Sequence, residues 1–546
     1  MQPLSFQNLQ IISYSDQIAP VSGGYILTGA NVSLEFEGEP KAYYRHGWQS
    51  WSLTTWQPLN FRLPVQKPAI LHPMQTDPLY IHHPAPNGSW LGAVEFESGE
   101  ILLLGALGLE AHVALHGQQL HGWYEAPHKG HDIPRTGHEA DSGDWFVGYG
   151  DEATVFARYT ELLGQRLGRA PSKPAPRVWC SWYSLYTAID EALLGRVFEE
   201  LADLPFDVFQ VDDGWQVSIG DWEANEKFPS GMGALAANIR ASGRTPGLWL
   251  APLLVVPSSN LYRQHRDWLL RDPNGKLVSA GFNWGQPLYA LDTTHPEVLD
   301  WLGALMKRVR AWGFDYLKLD FLYAGALPGK RHVDMPREAA YRQGLKALRE
   351  AMGAEAYFLT CGAPILPSLG LCDAMRIGPD VAGQWENYRD ATLLYNLTTP
   401  GVKNAIRTTV NRLWLQPLVA TDPDVAYFRS QYTSMTDEQK GLLQDLCQVC
   451  NYKATSILPQ WLSADGREEV RAFLESSPEV KRSGRYRFTL DGRIVDFSPA
   501  MPLPDHPRGL DALGNGFMGW LANRGWALKL LFWLGKRELQ KVKESL

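Results

Sequence analysis

Tyr316-Leu317-Lys318-Leu319-Asp320-Phe321 places two charged residues inside an otherwise apolar run. Successive side chains of a strand point to opposite faces, so Lys318 and Asp320 share one face. Burying such a pair is costly unless each charge has a partner or a use. Just upstream is a helical pattern carrying Val298, Leu299, Leu302, Leu305, Met306 and Val309. The alternation of short apolar runs and amphipathic helices extends in both directions. Val178–Tyr183, a helix near Ile189–Leu204, Val208–Val211 and Gly247–Ala251 precede it; Tyr357–Cys361 and Ala374–Ile377 follow. Repeated βα units over residues 169–475 predict a parallel sheet whose extent suits a (β/α)8 barrel, with a doubly wound open sheet as the competing architecture.

Each predicted strand ends in polar or aromatic residues. These are Cys180-Ser-Trp182-Tyr183, Asp212-Asp213-Gly214-Trp215, Trp249-Leu250-Ala251-Pro252, Lys318-Leu319-Asp320, Thr360-Cys361-Gly362 and Arg376-Ile377-Gly378-Pro379-Asp380. In a β/α barrel these ends meet at one face, where active sites lie. A single Asp after a strand is as readily an N-cap for the next helix. A whole set at one rim points to chemistry. Two carboxylates from different strands meet the requirement for glycoside cleavage, one attacking or activating water and the other protonating the leaving oxygen. Further Asp residues and a Lys would hold sugar hydroxyls, and Trp residues would supply an apolar wall. No His accompanies the acids, so the expected site has no metal and no cofactor.

Outside the barrel, residues 1–168 read as a large antiparallel β-sandwich. Its short stretches (Val32–Phe36, Trp90–Phe96, Ile101–Leu107, Phe146–Gly150) are separated by Gly, Pro and Asn, and a helix covers Glu152–Leu167. The prolines of Arg169–Pro176 punctuate the boundary. Residues 476–546 read as a small C-terminal domain. It holds a hairpin (Tyr486–Leu490, Arg493–Phe497) around Asp491-Gly492 and an apolar helix near Phe517–Leu534 with Arg524, Lys529, Lys536 and Arg537 on its polar side.

The chain has 546 residues, 45% of them hydrophobic, which suffices for large cores. Its formal net charge of −8 lacks the basic excess of a nucleic-acid binder. No apolar run reaches membrane-spanning length, and the first basic residue is Lys41, so neither a signal nor a transit peptide is read. Five cysteines make no disulfide framework. The expectation is a cytoplasmic protein acting on a small molecule, with no nucleic-acid or membrane partner; its oligomeric state is left open. Gly514-x-Gly516-x-x-Gly519 follows no apolar strand and is set aside as a dinucleotide fingerprint. Cys447-x-x-Cys450 reads as two thiols on a buried helix face, and His82-His83 and His128-x-x-His131-Asp132 as loop residues rather than metal ligands.

Taken together and in this order, Cys-Ser-Trp-Tyr, Val-Asp-Asp-Gly-Trp, Leu-Trp-Leu-Ala-Pro, Tyr-Leu-Lys-Leu-Asp-Phe, Cys-Gly-Ala-Pro and Met-Arg-Ile-Gly-Pro-Asp closely resemble the α-galactosidases of glycoside hydrolase family 36, in the melibiase clan. Arg45-His-Gly-Trp48-Gln-Ser-Trp51-Ser is similar to the family segment whose tryptophan reaches over from the β domain. The resemblance implies a retaining α-galactosidase acting on melibiose- or raffinose-type oligosaccharides, with Asp320 as nucleophile and Asp380 as general acid/base. It implies that Asp212 and Asp213 bind the O4 and O6 hydroxyls of galactose, that Lys318 binds hydroxyls beside the nucleophile, and that Arg376 orients the 2-OH region. Trp182 and Trp249 would line the subsite, Cys361 would sit near the 2-position, and Trp48 or Trp51 would cap the pocket. Galactosyl transfer and a non-catalytic sugar-binding barrel are the alternative functions.

Overall fold

The computed structural model describes residues 2–6, 9–65, 69–125, 143–170, 173–387, 396–504, 509–524, 526, 527, 529 and 530. The N-terminal part holds two antiparallel sheets of six and seven strands. Alternation is clean where a strand has one wet face: in Asn31–Phe36, Val32, Leu34 and Phe36 are buried. It vanishes in Ile101–Ala106, where every residue is buried, because the helix Glu152–Leu167 covers the second face. Gly105 makes this fit. A Cβ there would stand 2.5 Å from the Tyr159 ring, whose hydroxyl donates to the Ala106 carbonyl at 2.8 Å.

Eight parallel strands follow in chain order: Arg177–Cys180, Val208–Val211, Thr245–Leu250, Tyr316–Leu319, Tyr357–Thr360, Ala374–Arg376, Ala420–Asp422 and Lys453–Thr455. Each pairs with its predecessor through the seventh, and the eighth pairs with the first. Just past the seventh strand, the Ala426 N–H donates to the Ala454 carbonyl at 2.7 Å and closes the ring. The architecture is thus the (β/α)8 barrel and not the open sheet. The helix Pro296–Trp312 shows the local logic. His295 caps it, Pro296 starts it, Val298, Leu302, Leu305, Met306 and Val309 face inward, and Gly313 (φ 100) ends it in the left-handed region. The last two strands have three residues each and lie beyond the strands legible from periodicity. Two insertions after the second and third strands were also unforeseen: the hairpin Gln216–Ser218/Asp221–Ala224, and a three-stranded sheet of Leu254–Val255, Gln286–Ala290 and Ser279–Asn283.

A buried polar clamp joins the sandwich to the barrel helix Arg337–Met352. Arg337 pairs with Asp77 (2.6 Å) and Glu125 (2.5 Å). Glu338 accepts from the indoles of Trp48 (3.1 Å) and Trp90 (3.0 Å) and from the Glu110 N–H (2.6 Å), while Glu110 accepts from the Glu338 N–H (2.5 Å). Burial pushes Glu338 up to about 7 and Glu110 well above the usual carboxylate range, and the two acids reinforce this in Glu110 by mutual repulsion.

The C-terminal hairpin forms as Arg487–Leu490 and Arg493–Asp496, joined by a third strand, Val480–Arg482. The terminal helix spans Leu510–Ala522, starting earlier than expected, so Gly514, Gly516 and Gly519 are helical and form no nucleotide loop. The residues from 531 onward, and His128, His131 and Asp132, lie outside the described residues. Cys447 and Cys450 are buried on the helix Asp437–Cys450. His83 stacks on Trp123 and accepts from the Ala85 N–H of its own loop. Among the described residues no helix is long and apolar enough to cross a membrane.

Candidate active site

Register brings the third, fourth and fifth strands to a common level, pairing Trp249 with Lys318 and Lys318 with Leu359. Asp320 lies just past this level, its N–H donating to the Leu250 carbonyl at 2.7 Å. Its carboxylate receives the Trp249 indole N–H at 2.9 Å and the Phe321 N–H at 2.8 Å. Phe321 has φ 54, a left-handed conformation that costs a bulky residue roughly 1–2 kcal/mol and turns the chain sharply after Asp320. Lys318 Nζ lies 3.0 Å from Asp212 Oδ2 and 3.9 Å from Asp320 Oδ2. Burial opposes the Lys318 charge, yet these two carboxylates hold its ammonium well above the ordinary lysine range.

The adjacent carboxylates of the second strand differ in how far the protein already uses them. Asp212 Oδ2 takes Gln210 (2.6 Å), Lys318 and the Cys180 thiol (3.5 Å), and Oδ1 takes the Asp213 N–H (2.9 Å). Asp213 has one side-chain donor on each oxygen: Gln216 at 2.5 Å and the Trp284 indole at 2.7 Å. Burial pushes Asp213 up to about 6, against the pull of those two donors.

Arg376, at the end of the sixth strand, gathers three acids. It lies 2.7 Å from Asp422, 2.9 Å from Asp424 and 3.2 Å from Asp380. Tyr183 donates to Asp424, which burial pushes up to about 7. Asp380 is raised by burial; Arg376 and Lys318 oppose the rise, and Asp320 and Asp212 add to it. Its side chain keeps 32% of its surface exposed, against 9% for Asp320 and 2% for Asp212. Asp380 is therefore the accessible acid of the cluster, and it feels the charge of Asp320.

Of the two N-terminal tryptophans, the structure brings only Trp51 to the strand ends. Its ring meets Phe321 edge-on at 5.1 Å and approaches Tyr323 at 6.0 Å, and a Cβ on Gly362 would stand 2.9 Å from it. Trp48 is 1% exposed and belongs to the interdomain clamp, beneath the Arg337 guanidinium. The Trp51 loop is gripped by Arg412, fully buried, which donates to the carbonyls of Ser50 (2.6 Å), Gly47 (2.9 Å), Gln49 (2.9 Å), Ser52 (3.2 Å) and Ile377 (2.8 Å). Cys361 is buried at the fifth strand end, within the electrostatic reach of Asp320 and Arg376, and burial pushes its thiol up. Trp182 is half-buried just past the first strand, against Tyr186 at 5.1 Å.

Sequence reasoning missed Trp284, Asp422, Asp424 and Arg412. Asp422 ends the seventh strand as Asp320 follows the fourth, so the strand-end rule would have found it had that strand been recognised. Nothing in the sequence marks Trp284. A single trio among the described residues has metal-ligand proximity, Asp267, His295 and Glu297, at the start of the helix Pro296–Trp312; Glu297 there accepts from the Trp268 indole at 2.9 Å.

Acids of unequal accessibility and aromatic residues gathered at the strand ends define a class, the β/α-barrel enzymes whose active sites lie at that face. The Melibiase family model matches residues 141–353. An α-galactosidase from Thermus thermophilus, solved in complex with p-nitrophenyl α-D-galactopyranoside, is 44% identical with a TM-score of 0.85, covering 91% of this chain and 99% of its own. The α-galactosidase AgaA of Geobacillus stearothermophilus is 31% identical over 208 residues, 35% of this chain and 27% of the relative. The chain thus matches about a quarter of the length of the curated relatives. AgaA's solved structure, at 17% identity and TM-score 0.52, shares the fold. The chain belongs to the melibiase family, the α-galactosidases of glycoside hydrolase family 36.

Proposed function

We propose that the chain is a retaining α-galactosidase that hydrolyses terminal α-galactosides of small oligosaccharides. The observation that carries this reading is the pairing of Asp320, buried and held by two N–H donors beside Lys318, with Asp380, half-buried and raised, within its field. Asp320 attacks the anomeric carbon and forms a β-galactosyl ester while Asp380 gives its proton to the departing oxygen. Esterification removes the Asp320 charge, one of the causes holding Asp380 up, so Asp380 becomes a base suited to take a proton from water. Water then cleaves the ester and releases α-galactose. Asp212, Asp213 and Lys318 bind the sugar hydroxyls; Arg376, tied to Asp422 and Asp424, orients the region of the 2-OH and Cys361 crowds it; Trp182, Trp249 and Trp51 wall the pocket. The Thermus relative, solved with p-nitrophenyl α-galactoside and with stachyose, supports the substrate class. Residues 1–168, 169–475 and 476–546 are the proposed domains. All five cysteines are free, which supports a cytoplasmic setting.

The test is hydrolysis of p-nitrophenyl α-galactoside followed by NMR. α-Galactose must appear first, and Asp320→Ala with added azide must give β-galactosyl azide. β-Galactose as the first product, or a carboxyl separation well beyond the roughly 5–5.5 Å of retaining sites, overturns the mechanism.

A further inference from the structure

The inserted hairpin Ser279–Asn283/Gln286–Ala290 turns through Trp284 and Gly285, with Asn283 opposite Gln286. Both turn residues have positive φ, 50 and 73, the geometry of a two-residue turn that favours Asn-Gly or Gly-Gly. An indole at the first of these positions is sterically costly and persists only where its surroundings hold it. Here they do. The Trp284 N–H donates to Asn283 Oδ1 at 2.8 Å, its indole N–H donates to Asp213 Oδ2 at 2.7 Å, and its ring lies 5.2 Å from Phe321 and 6.2 Å from Trp249. The hairpin is braced from both domains. Tyr323 of the barrel donates to the Ala280 carbonyl at 2.5 Å, and Met74 fills the space beside Gly281 that a Cβ would need. Met74 in turn accepts from Gln49 at 2.6 Å, and Gln49 accepts from the Trp51 N–H at 2.8 Å.

We infer that Trp284 is a positioning residue for sugar recognition: the strained hairpin tip aims its indole N–H at Asp213 so that this carboxylate stays ionised and faces a substrate hydroxyl. The inference rests on the α-galactosidase reading. An N–H donor favours the charged carboxylate over the acid, so its loss moves the Asp213 titration to higher pH. Gln216, Asp212 and Lys227 also act on Asp213, and none of them is on the hairpin, so Trp284→Phe leaves them in place.

Trp284→Phe keeps a ring and removes the donor. With p-nitrophenyl α-galactoside, KM at neutral pH should rise about tenfold with kcat little changed, and the acid limb of kcat/KM should move to higher pH. In an Asp213→Asn background the same change should have little further effect. A merely structural tryptophan would lower activity equally at all pH values and add to Asp213→Asn; that pattern overturns the inference while leaving the hydrolase reading intact. A readout independent of turnover is the ¹⁵N indole resonance of Trp284, assigned by its loss in Trp284→Phe. It should titrate with Asp213 and stop doing so in Asp213→Asn. Failure to titrate overturns the inference, whereas an inactive wild-type enzyme with a titrating indole overturns the hydrolase reading alone.

Discussion

Two buried clusters in this molecule share a composition and differ in use. At the domain junction, Arg337 lies among Asp77, Glu110, Glu125 and Glu338; at the strand ends, Lys318 and Arg376 lie among Asp212, Asp320, Asp380, Asp422 and Asp424. In both, acids outnumber cations and burial pushes carboxyls up, Glu338 and Asp424 each to about 7. At the junction Glu338 spends its hydrogen-bonding capacity across the interface, answering two indoles and a backbone N–H. At the strand ends Asp213 and Asp380 keep capacity in hand. Crowding of like charge is thus a fastener where the protein supplies the partners and, on the proposed function, a reagent where a ligand must.

The sharpest way to break this contrast is Asp320→Ala. It should lower kcat by roughly 10⁴-fold or more, with little change in melting temperature, because Lys318 keeps Asp212 as its partner. Initial rates and calorimetry on the same preparation check both halves.

Arg337→Met should do the reverse. It strands Asp77 and Glu125 and should cost about 3–5 kcal/mol in urea unfolding, with kcat below the transition within a few-fold of wild type. A collapse in rate without loss of stability would erase the distinction between the clusters.

Glu338→Gln tests the pH dependence of the fastener. Because burial raises the folded pKa from 4.5 to about 7, the folded chain holds a proton that the unfolded chain releases in that window. The resulting stability is fully present below 4.5 and is lost as pH rises through about 7, on the order of 3 kcal/mol at most. Gln has no proton to lose, so the slope of unfolding free energy against pH should flatten over this window whatever the variant's absolute stability.

The smallest effect is expected from Trp48→Phe, which removes the donor to Glu338 Oε1 and should cost roughly 1–2 kcal/mol with KM unchanged. Trp51→Phe should show the opposite balance, a several-fold rise in KM with the stability of the clamp intact.

The half of the molecule that repeats was readable from residues alone. Val208–Val211 and Tyr316–Leu319 are apolar runs ending in charge, and the structure reproduces them residue for residue. Ala420–Asp422 escaped, and Asp422 and Asp424 went with it. Trp48 and Trp51 sit three positions apart in a loop, where no periodicity says which points to the clamp and which to the strand ends. Trp284 breaks the local rule for its turn; only the tertiary contact with Asp213 explains why it is there. Glu110 and Glu338 look like ordinary surface acids in sequence, since their burial arises when two domains meet.

The grip of Arg412 on the loop around Trp51 has a consequence for biosynthesis. The carbonyls it collects at Gly47, Gln49, Ser50 and Ser52 lie between 360 and 365 residues earlier in the chain. At ordinary ribosomal speeds that interval is about 20–70 s. Throughout it the nascent loop must wait without the guanidinium that shapes it, even if the sheets around it have already formed. The loop that carries Trp51 to the strand ends is therefore completed late, and an N-terminal fragment released early would carry Trp51 on a loop lacking its Arg412 anchor.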